Sequence, residues 1–332
     1  MSNLEMSMKI IMSISVLLTF SFINVQALYA EQKAPPHSFF QGKKVSVEEM
    51  MDEIRKRISS KRWNWDLSFF GKTGWKEKGV TVYGRPLIYW TCGNPKSENV
   101  SLVLASVHGD EITPVYFGFR LVEWIKARPE VCENSFIVVA PIVNPDGFLR
   151  YTSGTRTNYN KVDLNRNFDT PEWSEKALKI WKSKYGSQRR YFPGDKAASE
   201  PEIVFQKWLI DEYKPAKILS VHAPLNHLDF DGPINGPESE AAKKFTKAYV
   251  ESCDLLREQM SKSATGLNFY AYGTFPGSLG NYAGRHKGIP TITVELPTID
   301  AKMAPVYFGQ MEKGLGVFLN YEIQDRPRHL AE

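Results

Sequence analysis

Four short runs of nearly unbroken apolar residues punctuate the chain: VSLVLASV (100–107), SFIVVAP (135–141), AKILSV (216–221) and PTITVEL (290–296). Each is too short for an ordinary helix, which predicts strands buried on both faces. Helical stretches lie between and beyond them, over 113–127, 200–213, 238–261 and 305–320. Upstream, residues 46–60 predict a helix opened by a capping box, Ser46 with Glu49 three positions on. The stretch VTVYGRPLIYW (80–90) predicts two short strands about Gly84. Alternation of this kind predicts an α/β fold: a mixed, mainly parallel twisted sheet flanked by helices on both faces. Ligands of such sheets sit beyond the carboxyl ends of the strands.

Three strand ends carry reactive residues. His108 follows the first run, His222 follows the third, and Glu295 lies at the end of the fourth. A catalytic zinc takes three protein ligands from His and Asp/Glu and keeps one position open. His108 and Glu111 can supply two from one turn, because Gly109 lets the chain fold back tightly. His222 is the preferred third ligand because it abuts a buried strand. His227 competes for that place and otherwise reads as a pocket or surface residue. His37, His286 and His329 read as solvated. A carboxylate directly after TITV, at a buried sheet end, needs a partner or a function, which singles out Glu295.

Composition narrows the class. With 332 residues the chain can bury a full core, and 42% hydrophobic content is ordinary for a globular enzyme. Lys and Arg exceed Asp and Glu by 42 to 37 and are spread along the chain, so nucleic acid binding is not indicated. At the N-terminus, Lys9 precedes an apolar stretch from Ile10 to Ile23, and Ala27 or Ala30 offers a cleavage site. That stretch suits a signal-peptide core and is short of the ~20 residues of a membrane span. We expect a signal peptide over 1–30, with an uncleaved anchor as the alternative, and a periplasmic or secreted protein without a stable span after cleavage. An extension over 31–78, beginning as a Pro-bearing linker, and a catalytic domain over 79–325 follow. Trp63, Trp65 and Trp75 are expected to pack the extension onto that domain. Cys92, Cys132 and Cys253 lack metal-ligand spacing, and export permits one disulfide among them, with the pairing open.

The motifs HGDE (108–111), NPDG (144–147), RTNYNKVDLNRNF (156–168), GDKAASEPE (194–202), SVHAPL (220–225), PGSLGNY (276–282) and TVELP (293–297) occur in this order. The series resembles the zinc carboxypeptidases of the carboxypeptidase A/B type, and within them the bacterial murein peptide amidase A group, over about residues 80–320. The resemblance implies Zn²⁺ held by His108, Glu111 and His222, Glu295 as general base, and Arg156 stabilising the developing oxyanion. It implies Asn165 and Arg166 as the grip on the substrate's terminal carboxylate. Asp163 and Asn167 are expected to shape that loop. Tyr272, six residues before Ser278, matches a mobile tyrosine that closes over substrate, with Tyr270 and Tyr282 as alternatives. Ser199 and Glu202 of SEPE are expected to form a second capping box.

Leu279 lies where the family's specificity pocket is set, and it offers no charge there. The resemblance therefore implies a peptidoglycan stem peptide or muropeptide as substrate, cut at the γ-D-Glu–meso-diaminopimelate bond. Asp229 and Asp231, in the expected loop 226–233, would meet the distant zwitterionic centre of the leaving residue. The alternatives are a general secreted metallocarboxypeptidase, an aspartoacylase-type deacylase and a non-catalytic binding module.

Overall fold

The four apolar runs form the centre of one eight-stranded sheet. A computed structural model describes residues 44–71, 73–233, 243, 245–269 and 275–326. The expected signal peptide, His37, His329, Tyr270 and Tyr272 lie outside the described residues. In chain order come helix α1 (Val47–Lys61), strands β1 (Lys76–Val80), β2 (Pro86–Gly93) and β3 (Val100–Ala105), helix α2 (Ile112–Lys126), and strand β4 (Phe136–Ala140). Helices α3 (Pro145–Leu149), α4 (Trp173–Tyr185) and α5 (Pro201–Tyr213) lead to strands β5 (Lys217–His222) and β6 (His227–Phe230). Helix α6 (Lys247–Ser263), strands β7 (Asn268–Phe269) and β8 (Thr291–Glu295), and helix α7 (Ala304–Asn320) complete the described chain.

The sheet runs β1-β2-β4-β3-β5-β8-β6-β7. Its centre, β4-β3-β5-β8, is parallel, while β1, β2 and β6 join antiparallel. Side chains alternate across it. Val103, Leu219, Val221, Ile292 and Val294 pack into one core with α1, α2, α6 and α7. Leu102, Leu104, Val138 and Ile218 pack into the other, beneath Ile203, Phe205 and Leu209 of α5. Burial on both faces is why these strands read as unbroken apolar runs.

The described part of the extension shares this core. The Ser46 and Glu49 capping box forms as expected. Trp65 packs on Tyr116 with centroids 5.2 Å apart and donates from Nε1 to the Ala301 carbonyl at 2.7 Å. Trp75 meets Phe119 edge-on at 5.4 Å. Cys92 and Cys132 form a disulfide, and Cys253 is buried as a thiol.

Two expectations are corrected. The SEPE segment is not a capping box: Glu200 is the N-cap of α5 without a side-chain bond. Ser199 Oγ turns to Glu200 and Asn167, and Glu202 is buried, accepting from Asn158 Nδ2 at 3.0 Å. Contacts with the 156–167 loop outcompete the local cap. The expected loop 226–233 contains strand β6, antiparallel to β8, because cross-strand pairing overrides its turn-rich composition. Helix α4 was not expected, although Trp173, Ala177, Ile180, Trp181 and Tyr185 recur along it at helical spacing; only Trp173 and Ala177 are buried. Helix α6 begins at Lys247 behind the Thr246 cap; residues 238–242 lie outside the described residues.

Candidate metal centre and active site

Beyond β3 the backbone turns sharply. Ser106 takes a left-handed φ of 59°, an uncommon conformation for a residue with a Cβ. Asn144 braces the turn: its Nδ2 donates to the Val107 carbonyl at 3.0 Å and its Oδ1 accepts from Gly147 N at 2.8 Å. Gly109 is required by close approach, because a Cβ there would stand 2.0 Å from the Gly147 carbonyl carbon. The turn thus delivers His108 and, at the N-cap of α2, Glu111.

His222 arrives from the end of β5, and its ring lies 4.9 Å from that of His108. Ligand atoms of His108, Glu111 and His222 fall within 4.8 Å of one another, and all three residues are buried. Both imidazoles turn Nδ1 to Glu111, at 2.6 Å for His108 and 3.2 Å for His222. On the far side of the first ring, His108 Nε2 meets Asp163 Oδ1 at 3.2 Å. With Asp163 accepting from Nε2–H, Nδ1 would be the nitrogen of His108 available to hold a metal. Burial would raise the Glu111 carboxyl, but His108 and His222 hold it well below the usual carboxylate range.

Arg156 lies against this group. Its Nε donates to Asp163 Oδ2 at 2.8 Å, and Nη1 lies 3.6 Å from Glu111 Oε1. Burial alone would lower the guanidinium pKa, yet Asp163 and Glu111 outweigh it and keep the charge in place. Glu295 ends β8 in register with His222 on one side and His227 on the other. Its Oε2 is buried without a hydrogen-bond partner. Burial pushes its carboxyl up, the Glu111 charge adds to this, and His222 opposes it.

Asn165 and Arg166 occupy a one-turn helix over Leu164–Arg166, held by Asp163 Oδ1, which accepts from Asn165 N at 3.1 Å. Asn165 Oδ1 accepts from Leu279 N at 2.9 Å, tying this loop to the PGS segment. A Cβ on Gly277 would stand 2.2 Å from the Arg166 carbonyl, so that seam also depends on glycine. Arg166 lies over Phe275, and its Nε is buried without a partner. Asn167 holds the loop as expected, donating to the Pro193 and Lys196 carbonyls.

The face of β6 and β8 that carries Glu295 continues into a polar row. Asp229 stands opposite Thr293, and Asp231 Oδ2 accepts from Thr293 Oγ1 at 3.3 Å. Burial and the neighbouring Asp229 push the Asp231 carboxyl up to about 7. Gly280, in the π-helical turn Gly280–His286, leaves room for it: a Cβ there would lie 2.2 Å from Asp231 Cγ. Leu279 is buried beside Ile218, Tyr282 and Ala283. His227 is no surface residue, being buried at 2% exposure with Nδ1 3.1 Å from the Leu225 carbonyl. His286 is half-buried rather than fully solvated, its Nε2 lying 3.2 Å from Glu172 Oε2.

A profile for the zinc carboxypeptidase family matches residues 73–312. The chain belongs to the zinc carboxypeptidases. It is therefore a metal-dependent hydrolase of peptide-type bonds. Murein peptide amidase A of Vibrio campbellii is 30% identical over 243 residues, covering 73% of this chain and 84% of the relative. Murein peptide amidase A of Escherichia coli K12 is 35% identical over 156 residues, 46% of this chain and 60% of the relative. Among solved structures, a murein-tripeptide amidase from Escherichia coli O157 is similar at 27% identity and a TM-score of 0.50, covering 76% of this chain and 94% of that one. Bovine thrombin-activatable fibrinolysis inhibitor, at 15% identity and a TM-score of 0.59, covers 83% of this chain and 96% of its own and shares the fold.

The family implies zinc, and the residues of this zinc carboxypeptidase fit it. Two imidazoles and one carboxylate make a three-ligand catalytic set. The unpartnered Glu295 oxygen beside that set is a buried polar atom that protein neighbours leave unsatisfied. Two contributors escaped the sequence reading. Asn144 braces the metal turn, and Asp163 orients His108 as well as shaping its own loop. Both stand inside motifs that were legible as motifs, but neither spacing shows which residue faces a strand end some forty or fifty positions away.

Proposed function

We propose that this zinc carboxypeptidase is an exported enzyme of peptidoglycan metabolism that hydrolyses the γ-D-Glu–meso-diaminopimelate bond of stem peptides or muropeptides. The observation that carries the substrate reading is the buried acid pair Asp229 and Asp231, one step along the sheet face from Glu295. Diaminopimelate as leaving group presents an α-carboxylate and, several carbons away, a second centre with an amino group. Asn165 and Arg166 serve the first, with the buried donor Arg166 Nε unfilled in the protein itself. Asp229 and Asp231 serve the cationic amine of the second. The murein peptide amidase relatives support the same reading. The Cys92–Cys132 disulfide supports export to an oxidising compartment. No helix among the described residues is long and apolar enough to cross a membrane.

Zinc held by His108, Glu111 and His222 supplies Lewis-acid polarisation of the scissile carbonyl and a lowered water pKa. Glu295, aligned by pairing of β8 with β5 and β6, accepts a proton from the attacking water and returns it to the leaving amine. Arg156, fixed by Asp163, donates to the oxygen on which negative charge develops. The test is incubation of the zinc-loaded enzyme with L-Ala-γ-D-Glu-meso-diaminopimelate, which is expected to release diaminopimelate. Cleavage of ordinary L-peptides with none of this release would assign a general metallocarboxypeptidase instead.

A further inference from the structure

The segment between Asn167 and α5 builds a wall that the reaction described above leaves unused. Helix α4 ends at Tyr185, and a one-turn helix over Arg189–Tyr191 follows. Tyr185 stacks on Tyr191 with centroids 4.6 Å apart and rings 27° from parallel. In one direction Tyr185 stands 6.3 Å from Phe275, whose ring lies 4.4 Å from the Arg166 guanidinium. In the other, the Tyr191 ring lies 5.4 Å from the Arg156 guanidinium. The preceding residue, Arg190, forms an ion pair with Asp110, the residue directly before Glu111. The wall therefore runs Arg166, Phe275, Tyr185, Tyr191, Arg190, with Arg156 beside Tyr191.

This order has a direction. With a leaving residue gripped at Arg166 and its scissile carbonyl at Arg156, the acyl part of the substrate would run past Tyr191, whose ring Arg156 and Arg190 both approach, toward Arg190. The Arg190 side chain is 47% exposed, yet its tether to Asp110 fixes it next to the metal turn. Only Nη1 is engaged by that tether, and a guanidinium has further donors in the same plane for a second anion.

We propose that Arg190 is a specificity residue that holds a carboxylate on the acyl-side residue of the substrate. The inference rests on the reading that Asn165 and Arg166 hold the leaving residue. It deepens the proposed function, because a γ-linked D-glutamyl residue keeps its α-carboxylate free within a few bonds of the scissile carbonyl. An enzyme for that bond has an anion to satisfy on this side as well as on the leaving side. A charge-assisted contact of this kind is worth about 10- to 100-fold in discrimination.

The experiment compares two peptides in the zinc-loaded wild type, Arg190→Gln and Arg190→Lys. One is L-Ala-γ-D-Glu-meso-diaminopimelate; the other carries an amide in place of the glutamyl α-carboxylate. The wild type is expected to prefer the acid by about 10- to 100-fold in kcat/KM. Arg190→Gln is expected to bring the acid down to the level of the amide while the amide changes by less than about twofold. Arg190→Lys retains part of the preference. Equal losses on both peptides, or a wild type indifferent to the amide, overturn the proposal and make Arg190 a brace for Asp110. Melting temperature and zinc content of each variant identify the brace independently. Failure to cut either peptide, with ordinary L-peptides cleaved, defeats the murein reading instead. In that case N-acyl-L-Glu and N-acyl-L-Gln substrates with a common leaving residue put Arg190 to the same comparison, and indifference between them overturns it.

Discussion

Glu295 and Asp163 both serve the metal turn, but in different ways. Glu295 has a buried oxygen with no protein partner, whereas Asp163 spends both oxygens on His108, Arg156 and its own loop. Replacing Glu295 by Gln keeps the volume and removes the base. Zinc stoichiometry by metal analysis is expected to be unchanged, with kcat lower by about 10²- to 10⁴-fold. Asp163→Asn removes the charge that fixes the His108 tautomer, and zinc affinity in chelator competition is expected to fall by about 10- to 100-fold. Unchanged affinity would reduce Asp163 to a loop residue. His108, His222 and Glu295 were legible in the sequence because each sits at the end of an apolar run, and Glu111 because it shares a turn with His108. The Asp163–His108 contact was not, since a loop aspartate two residues before Asn165 looks like an ordinary turn residue.

At the scale of elements, the site depends on close backbone approach. Gly109 meets the Gly147 backbone, so Gly109→Ala cannot be relieved by moving a side chain. It is expected to cost about 1–3 kcal/mol in unfolding free energy, with reduced zinc content, measured by denaturant melts and metal analysis. Strands β3, β4, β5 and β8 were readable because both faces are buried. Strand β6 was not, because only Leu228 and Phe230 pack into the core, while the face it shares with Glu295 carries His227, Asp229 and then Asp231, residues common in loops. Helix α4 was missed for the opposite reason: its outer face dominates its composition. The wall with Arg190 follows from α4 and so lay beyond sequence reasoning too.

Across the whole molecule, two features away from the site set stability. Lys217 is fully buried at the start of β5, donating to Asn99 Oδ1 and to the Tyr321 carbonyl at 2.7 Å. Burial pushes its amine down from 10.5 to about 7. Between those values the unfolded chain binds more protons than the folded one, so stability rises with pH there and is lost as pH falls through about 7. Denaturant melts are expected to show this rise, at most about 1.4 kcal/mol per pH unit, in the wild type and not in Lys217→Met. Reduction of Cys92–Cys132, which are 40 residues apart in sequence, is expected to cost about 2–4 kcal/mol in the same assay.

The sequence by itself determined the sheet's central strands, the family, and the strand-end positions of His108, His222 and Glu295, with Glu111 in the same turn as His108. Those signals are local: unbroken apolar runs and reactive residues at fixed offsets from their ends. Only the tertiary structure decided that Asp229 and Asp231 lie on the same buried face as Glu295. It also decided that Asn144 and Asp163 support the metal turn, and that Arg190 stands at the far end of the wall from Arg166. Each of these depends on strand register or on loops packing across the sheet, where the partners' separation in space is unrelated to their separation along the chain.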